Sequence, residues 1–241
     1  MKNNHIPWVE KYRPENLEEI VLEEHNELIF NNILKNDYFP NILLYGPPGT
    51  GKTTTIISLI NNYLKNKKIK TSKDIIIHLN ASDDRGIEVI REKIYNFVRC
   101  KSYNIVCNKF IILDEVDYMT ITAQLSLKYI IEKCNKNIVF ILMCNYISKI
   151  NYSLQNLFLN IRFNDLPKEK IITLLTNICN KENIQISNNV LIKIQTLYKS
   201  DLRSMVNYLQ SNSNNLNCNF IHGDVSGKPT FKKIRSLLIE Y

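Results

Sequence analysis

The chain has 241 residues, with 31 Lys+Arg against 23 Asp+Glu and a formal net charge of +8. At about 100–200 residues per domain, this length holds one large domain or two smaller ones, and a content of 44% hydrophobic and 22% charged residues excludes wholesale disorder. The longest apolar runs, such as Ile138–Cys144, fall far short of the roughly 20 residues that span a bilayer, and the polar stretch Met1–Pro7 lacks the apolar core of a secretory signal.

In chain order, Pro40-Asn41 breaks the backbone before a short apolar strand, Ile42–Tyr45. A Gly-rich turn follows and then a helix to about Lys65. Strand, Gly-rich turn and helix in that order open a phosphate-binding α/β unit. Further strands are predicted at Ile75–Leu79, Phe110–Leu113, Val139–Met143 and Asn160–Phe163, with helices over Gly86–Arg99 and Thr120–Lys133 between them. This alternation predicts an α/β fold with a mostly parallel sheet flanked by helices. From Leu166-Pro167 onward the apolar spacing turns helical, over Lys168–Lys181, Ser187–Tyr198 and Leu202–Gln210, with Ser187 and Asp201 as N-caps. The Asn/Ser-rich Ser211–Asn219 is expected to be a loop, and Phe231–Tyr241 one last helix after Pro229. The expected domains are residues 1–165, α/β; 166–222, helical; and 223–241, a linker with that final helix.

Residue usage is skewed toward Ile, Asn and Lys, with 36, 33 and 24 copies, and the chain holds only two Ala and six Gly. The skew follows AT-rich codons rather than function. It makes the placement of three of the six glycines in one short loop informative, because average Gly usage is about 7%. The net charge divides into +3 over residues 1–165, +3 over 166–222 and +2 over 223–241, with no basic tail. A lysine-rich solvated surface accounts for it as well as a polyanionic partner does. Six cysteines include no C-x-x-C pair and no His at metal-ligand spacing, which argues for free thiols in a reducing compartment and against zinc.

The residues that carry chemistry begin with Gly46-Pro47-Pro48-Gly49-Thr50-Gly51-Lys52-Thr53, the pattern G-x-x-x-x-G-K-T. Small residues let successive backbone N–H groups curl around phosphate oxygens, and Lys52 can reach the β- and γ-phosphates. The Thr53 hydroxyl can ligate Mg²⁺, and the following helix points its positive end at the anion. The second element is Phe110–Leu113 running into Asp114-Glu115. Asp114 is expected to hold Mg²⁺ and Glu115 to polarise an attacking water as general base. The third is Asn145, at the tip of the Val139–Met143 strand, where it can orient the water or contact the γ-phosphate; an Asx turn accounts for it equally well. The fourth is Arg203, whose guanidinium either clamps nucleotide phosphates from the helical domain or lies on its surface.

Taken together, Pro7–Pro14, Gly46–Thr54, Leu79–Ile87, Leu113-Asp114-Glu115 and Cys144-Asn145 occur in an order and spacing that closely resemble the small subunits of replication factor C, the AAA+ sliding-clamp loader. The resemblance covers residues 6 to 241. It implies an AAA+ P-loop domain, a helical lid and the first helix of a collar domain that is otherwise missing. It implies a nuclear hetero-pentameric ring with ATP and Mg²⁺ as cofactors, other clamp-loader subunits, the sliding clamp (proliferating cell nuclear antigen) and primer–template DNA as partners, and no membrane. The implied reaction is ATP hydrolysis coupled to clamp opening and loading.

By position, the resemblance places Val9, Arg13 and Val21 around the adenine side, Gly46 through Thr54 on the phosphates, and Asp114 and Glu115 as Walker B. Asn145 becomes sensor 1 and Arg203 sensor 2. Asn80 becomes a partner restraining Glu115, and Arg85, Arg91 and Lys128 become contacts to the DNA backbone. Two departures matter. The family's Ser-Arg-Cys aligns with Asn156-Leu157-Phe158, so the arginine finger offered to a neighbour is absent, a group worth about 10³–10⁵ in rate in comparable NTPases. The paired arginines near position 128 are here Lys128-Tyr129. Two other functions stand beside the ATPase: a non-catalytic structural member of the same ring, suggested by Leu157, and a different AAA+ DNA ATPase such as a branch-migration motor, disfavoured by the blocks at 7–14 and 79–87.

Overall fold

The computed structural model describes residues 6–14, 16–69, 75–82, 87–99, 108–134 and 137–218. The predicted helix at Phe231–Tyr241, the linker before it, and Arg85 lie outside the described residues.

Five strands form one sheet: β1 (Ile42–Tyr45), β2 (Ile76–Asn80), β3 (Lys109–Asp114), β4 (Ile138–Cys144) and β5 (Leu159–Arg162). Their order is β2-β3-β4-β1-β5 and every pairing is parallel. The central strands β1, β3 and β4 read as largely unbroken apolar runs because both of their faces are covered, whereas β2 and β5 at the two edges carry polar residues. On one face Ile42, Leu44, Phe110, Ile112, Ile141 and Met143 pack beneath α2 (Glu24–Lys35) and α3 (Lys52–Asn66). On the other, Leu43, Ile111, Leu113, Phe140 and Leu142 pack beneath α4 (Ile87–Arg99) and α5 (Ile121–Lys133). Period-two alternation thus divides β1, β3 and β4 between two cores. Strand order has a functional consequence: the carboxyl ends of β1, β3 and β4, which are Tyr45, Asp114 and Cys144, emerge along one edge of the sheet, where parallel α/β sheets place their sites.

A third core joins α7 (Lys168–Lys181), α8 (Asn188–Tyr198) and α9 (Leu202–Cys218) through Ile171, Leu175, Leu191, Met205 and Leu209. Val21 is buried in it, and Trp8 and Val9 of α1 (Trp8–Lys11) pack on it together with Tyr12, the residue that caps that helix. The Trp8 backbone N–H donates to Gln210 Oε1 at 2.9 Å, and Lys11 Nζ and the Tyr12 hydroxyl both reach Glu182. The N-terminal segment is thereby strapped to the helical unit.

Two local expectations are corrected. Ser211–Asn219 is not a loop as far as Cys218, because α9 continues through it. Asn and Ser are poor helix formers since they compete for backbone groups, but here that bonding follows the helix: Asn212 Nδ2 donates to Tyr208 O and Ser213 Oγ to Gln210 O. Ser187 does occupy the N-cap position of α8, but it caps through its backbone carbonyl, which accepts the Val190 N–H, and not through its side chain. Asp201 does cap α9, accepting the Ser204 N–H at 3.1 Å and the Ser204 hydroxyl at 2.6 Å. Strand ends agree with expectation at β1 and differ by one residue at β2, β3, β4 and β5.

Candidate active site

The turn after β1 is built on glycine. Gly46, Gly49 and Gly51 have φ of +147°, +74° and +87°, a region L side chains avoid. Gly51 is the N-cap of α3, so Lys52 and Thr53 open the helix with its N–H groups facing the loop. Lys52 is buried, and its ammonium donates to Gly46 O at 2.8 Å, Pro47 O at 2.9 Å and Asn145 Oδ1 at 3.1 Å. Burial pushes its pKa below the ordinary lysine value against the pull of Asp114. Thr50, also buried, gives its hydroxyl to Pro47 O, leaving its backbone as the part able to face a phosphate.

At the end of β3, Asp114 Oδ2 accepts the Thr53 hydroxyl at 3.0 Å, and His78 Nε2 lies 3.8 Å from the same oxygen. Asp114 Oδ1 accepts the Glu115 N–H at 2.9 Å. Burial raises the pKa of this carboxyl, but the contacts from His78, Thr53 and the Glu115 N–H outweigh it and hold the group below the usual carboxylate range. A depressed folded-state value means stability that is present above the unfolded pKa and lost as pH falls through the folded one. Asp114→Asn should therefore cost stability at pH 7, with the cost shrinking below roughly pH 4; denaturant midpoints of both chains at the two pH values measure it. Glu115 has φ +57°, so the chain turns sharply out of the strand and brings its side chain to the cleft. Asn80 lies opposite Asp114 in register, its Oδ1 taken by the Ser82 N–H and hydroxyl. At the tip of β4, burial and the nearby Asp117 push the Cys144 thiol up to about 12, outweighing the pull of Lys52, so it stays protonated.

These groups line one cleft. Pro48 through Thr54, Asp114, Glu115, Asn145 and Arg203 face it, joined by Val9, Arg13 and Val21. Gly46 and Pro47 lie behind the loop and hold Lys52. Arg13 Nε donates to Thr54 Oγ1 at 3.2 Å, linking the N-terminal segment to α3. Arg203 is exposed on the first turn of α9. Arg91 and Lys128 lie outside the cleft: the Arg91 guanidinium sits 5.5 Å from the Tyr95 ring centroid, and Lys128 pairs with Glu132 at 3.7 Å.

Sequence reasoning missed the apolar wall of the cleft, formed by Ile20, Leu174, Ile178 and Val206. The spacing of Leu174 and Ile178 on α7 and of Val206 on α9 signals a helix core, and nothing local tells a core face from a cleft wall. It also missed that the α9 N-terminus touches the phosphate loop, where the Leu202 N–H donates to Gly49 O at 3.2 Å.

The donor set fits a magnesium nucleotide. Thr53 and Asp114 offer hard oxygens side by side, the loop offers backbone N–H groups and a lysine, and the wall beside them is apolar enough for a base.

The sequence profile of the ATPase family associated with various cellular activities (AAA) matches residues 42–166, and that of the Rad17 P-loop domain matches residues 1–75. The chain is 39% identical over 206 residues to mouse replication factor C subunit 5, covering 86% of this chain and 60% of that protein. It is 38% identical over 217 residues to replication factor C subunit 2 of Saccharomyces cerevisiae, covering 86% and 61%. It is 40% identical over 203 residues to replication factor C small subunit 2 of the archaeon Pyrobaculum islandicum, covering 84% and 62%. The chain thus spans about 60% of the length of these relatives. A solved RuvB mutant from Thermotoga maritima shares the fold with a TM-score of 0.68 at 12% identity, over 94% of this chain and 73% of that one. A P-loop sheet, a phosphate cradle and a profile match over half the chain make this protein a member of the AAA family of ATPases, homologous to replication factor C subunits.

Proposed function

We propose that the chain is an ATP-binding and hydrolysing subunit of a clamp loader, working in a hetero-pentameric ring in the nucleus to open a sliding clamp, the proliferating cell nuclear antigen, and place it on primer–template DNA. One observation carries the reading: a single cleft gathers the phosphate loop, a Thr53–Asp114 pair, a carboxylate at Glu115, a strand-tip Asn145 bonded to Lys52, and Arg203.

Each residue takes a role that its position supports. Residues 46 to 54 cradle phosphates, with Gly46 and Pro47 holding Lys52 in place. Thr53 and Asp114 would hold Mg²⁺, which when bound neutralises charge on the phosphate oxygens. Glu115 takes a proton from water, and Asn145 orients that water while steadying Lys52. Arg203 reaches the phosphates from α9, coupling the helical unit, which we assign as a lid over residues 166–222, to the nucleotide. Val9, Arg13 and Val21 meet the base side together with the apolar wall. Arg91 and Lys128 lie outside the cleft, as backbone contacts to DNA require, and Arg85 joins them by resemblance.

A structural, non-catalytic role in the same ring is the second reading. Leu157 favours it: at the position where the resemblance implies an arginine finger, this chain packs an apolar side chain against the core under α4 and α5. The test is Mg-ATP binding and turnover by the full chain, alone and with partner subunits. The expected result is binding by the chain alone, slow turnover, and acceleration when a neighbour supplies an arginine. Failure to bind ATP would overturn the proposal; binding with no turnover in any mixture would select the structural role.

A further inference from the structure

One wall of the cleft is held by a residue that lies outside it. Trp8, Val9, Tyr12, Arg13 and Pro14 form that wall. The segment has little structure of its own to keep it there. α1 is four residues long, too short to persist as an isolated helix, and none of its residues is fully buried. Bonds to three separate elements fix its place. The Trp8 backbone N–H goes to Gln210 of α9, Arg13 Nε goes to Thr54 of α3, and Lys11 and Tyr12 both go to Glu182 at the end of α7.

The tie to Glu182 joins two distant parts of the chain. One carboxylate oxygen, Oε1, accepts both the Tyr12 hydroxyl and the Lys11 ammonium, from residues 170 and 171 positions earlier. A fully exposed ion pair would contribute little. Here the Glu182 side chain is only 18% exposed, and the Tyr12 ring packs on the helical core with its edge toward Trp8. Lys11 is 42% exposed and open to screening, so the Tyr12 hydroxyl carries most of the tie. Glu182 also sits one helical turn from the apolar wall. It caps α7 with its N–H bonded to Ile178 O at 3.0 Å, and Leu174 and Ile178 face the cleft from that helix. The two walls therefore meet at Glu182, the N-terminal segment through its carboxylate and α7 through its backbone.

We propose, resting on the ATP reading of the previous subsection, that Glu182 is a positioning residue for the base side of the site. It touches no nucleotide; it sets the spacing between the Tyr12–Arg13 wall and the α7 wall, between which the base would lie. Releasing the tie leaves a wall that is in place only part of the time. Apparent affinity for a ligand that needs the wall then falls by the fraction of molecules in which it is formed. The phosphate loop is held by its own bonds, from Lys52 to Gly46 O and Pro47 O, so binding of the triphosphate half does not depend on Glu182.

The test compares two ligands on the full chain with Mg²⁺ present: an ATP analogue labelled on the ribose, and inorganic tripolyphosphate, which has the phosphates but no base and is read by displacement. Glu182→Ala and Tyr12→Phe should each weaken analogue binding about five- to tenfold and leave the tripolyphosphate inhibition constant unchanged. Amide hydrogen exchange should rise over residues 8–13 and stay at the parental level in β1, β3 and β4, which reports an intact fold. Glu182→Gln, which keeps an acceptor of the same size, should bind close to the parent. Glu182→Ala combined with Tyr12→Phe should be no weaker than either alone, because both remove the same bond. Parental analogue affinity in Glu182→Ala would overturn the proposal. An equal loss for both ligands would overturn it too, since a positioning role on the base side spares the phosphates. No analogue binding by the parent would refute the ATP reading itself, and this assignment with it.

Discussion

Glu115→Gln is expected to leave ATP binding within a few-fold and to lower turnover by about 10²–10⁴, the range a positioned general base contributes. The two adjacent carboxylates differ in what holds them. Asp114 is committed, one oxygen to Thr53 and the other to the Glu115 N–H, with His78 close by. Those contacts suit a group that stays ionised and holds a cation. Glu115 sits one residue beyond the strand at φ +57°, a strained position for a side chain of its size, and the resulting turn is what presents it to the cleft. Gln keeps the size and the strain but cannot accept the proton, so stability should be unchanged while chemistry is lost.

Lys52→Ala should separate from this in the opposite sense. It removes the group that three acceptors hold in place, so binding itself should fall. Titration with a fluorescent ATP analogue, paired with single-turnover rates in the presence of partner subunits, distinguishes the two variants. Equal turnover by the parent and Glu115→Gln would sink the catalytic assignment.

How much of this was legible beforehand depended on whether the information was local. β1, β3 and β4 are continuous Ile/Leu/Phe/Val runs that no amphipathic helix would tolerate, and they were placed within one residue. The phosphate loop was legible because only glycine adopts its backbone cheaply and the chain has so few. α2 carries little local signal because its apolar side chains are spaced by Asn and Glu, one of which, the buried Asn26, is spent on Arg162 O. α9 was cut short because Asn and Ser carry low helix propensity, which packing of Trp8 and Tyr208 and bonding to Gln210 override. Glu115 gave no warning of its left-handed backbone, as Asn or Gly would have. Asp201 was legible as a cap but not as a neighbour of the phosphate loop, because no local pattern encodes a contact with Gly49.

That last contact gives the second large expected effect. Alanine substitution at the three loop glycines should cost stability in the order Gly46, Gly49, Gly51. All three carry positive φ, worth about 1–2 kcal/mol against a side chain. They differ in what a Cβ would meet. At Gly46 it would lie 2.2 Å from Phe163 O, a backbone atom in a segment pinned by the Phe163 N–H to Tyr45 O bond of 2.7 Å, so neither side can yield. The total there should exceed about 3 kcal/mol, a large share of a domain's stability of roughly 5–15 kcal/mol.

At Gly49 a Cβ would lie 1.9 Å from Asp201 Oδ1 and 3.2 Å from its Cα, so the Asp201 side chain must swing off its cap or the α9 N-terminus must shift and carry Arg203 with it. Nucleotide affinity should fall along with stability. At Gly51 the nearest atom is Thr55 Oγ1 at 4.0 Å, and only the backbone strain remains. Asp201→Ala gives the internal control. It removes the worst clash with Gly49→Ala while sacrificing a helix cap of about 1 kcal/mol, so the double variant should be more stable than the two single costs summed. Urea denaturation of the four single variants and the double, with ATP-analogue affinities alongside, measures the cycle. Equal costs at all three glycines, or strict additivity with Asp201→Ala, would show that the loop and α9 do not meet as described.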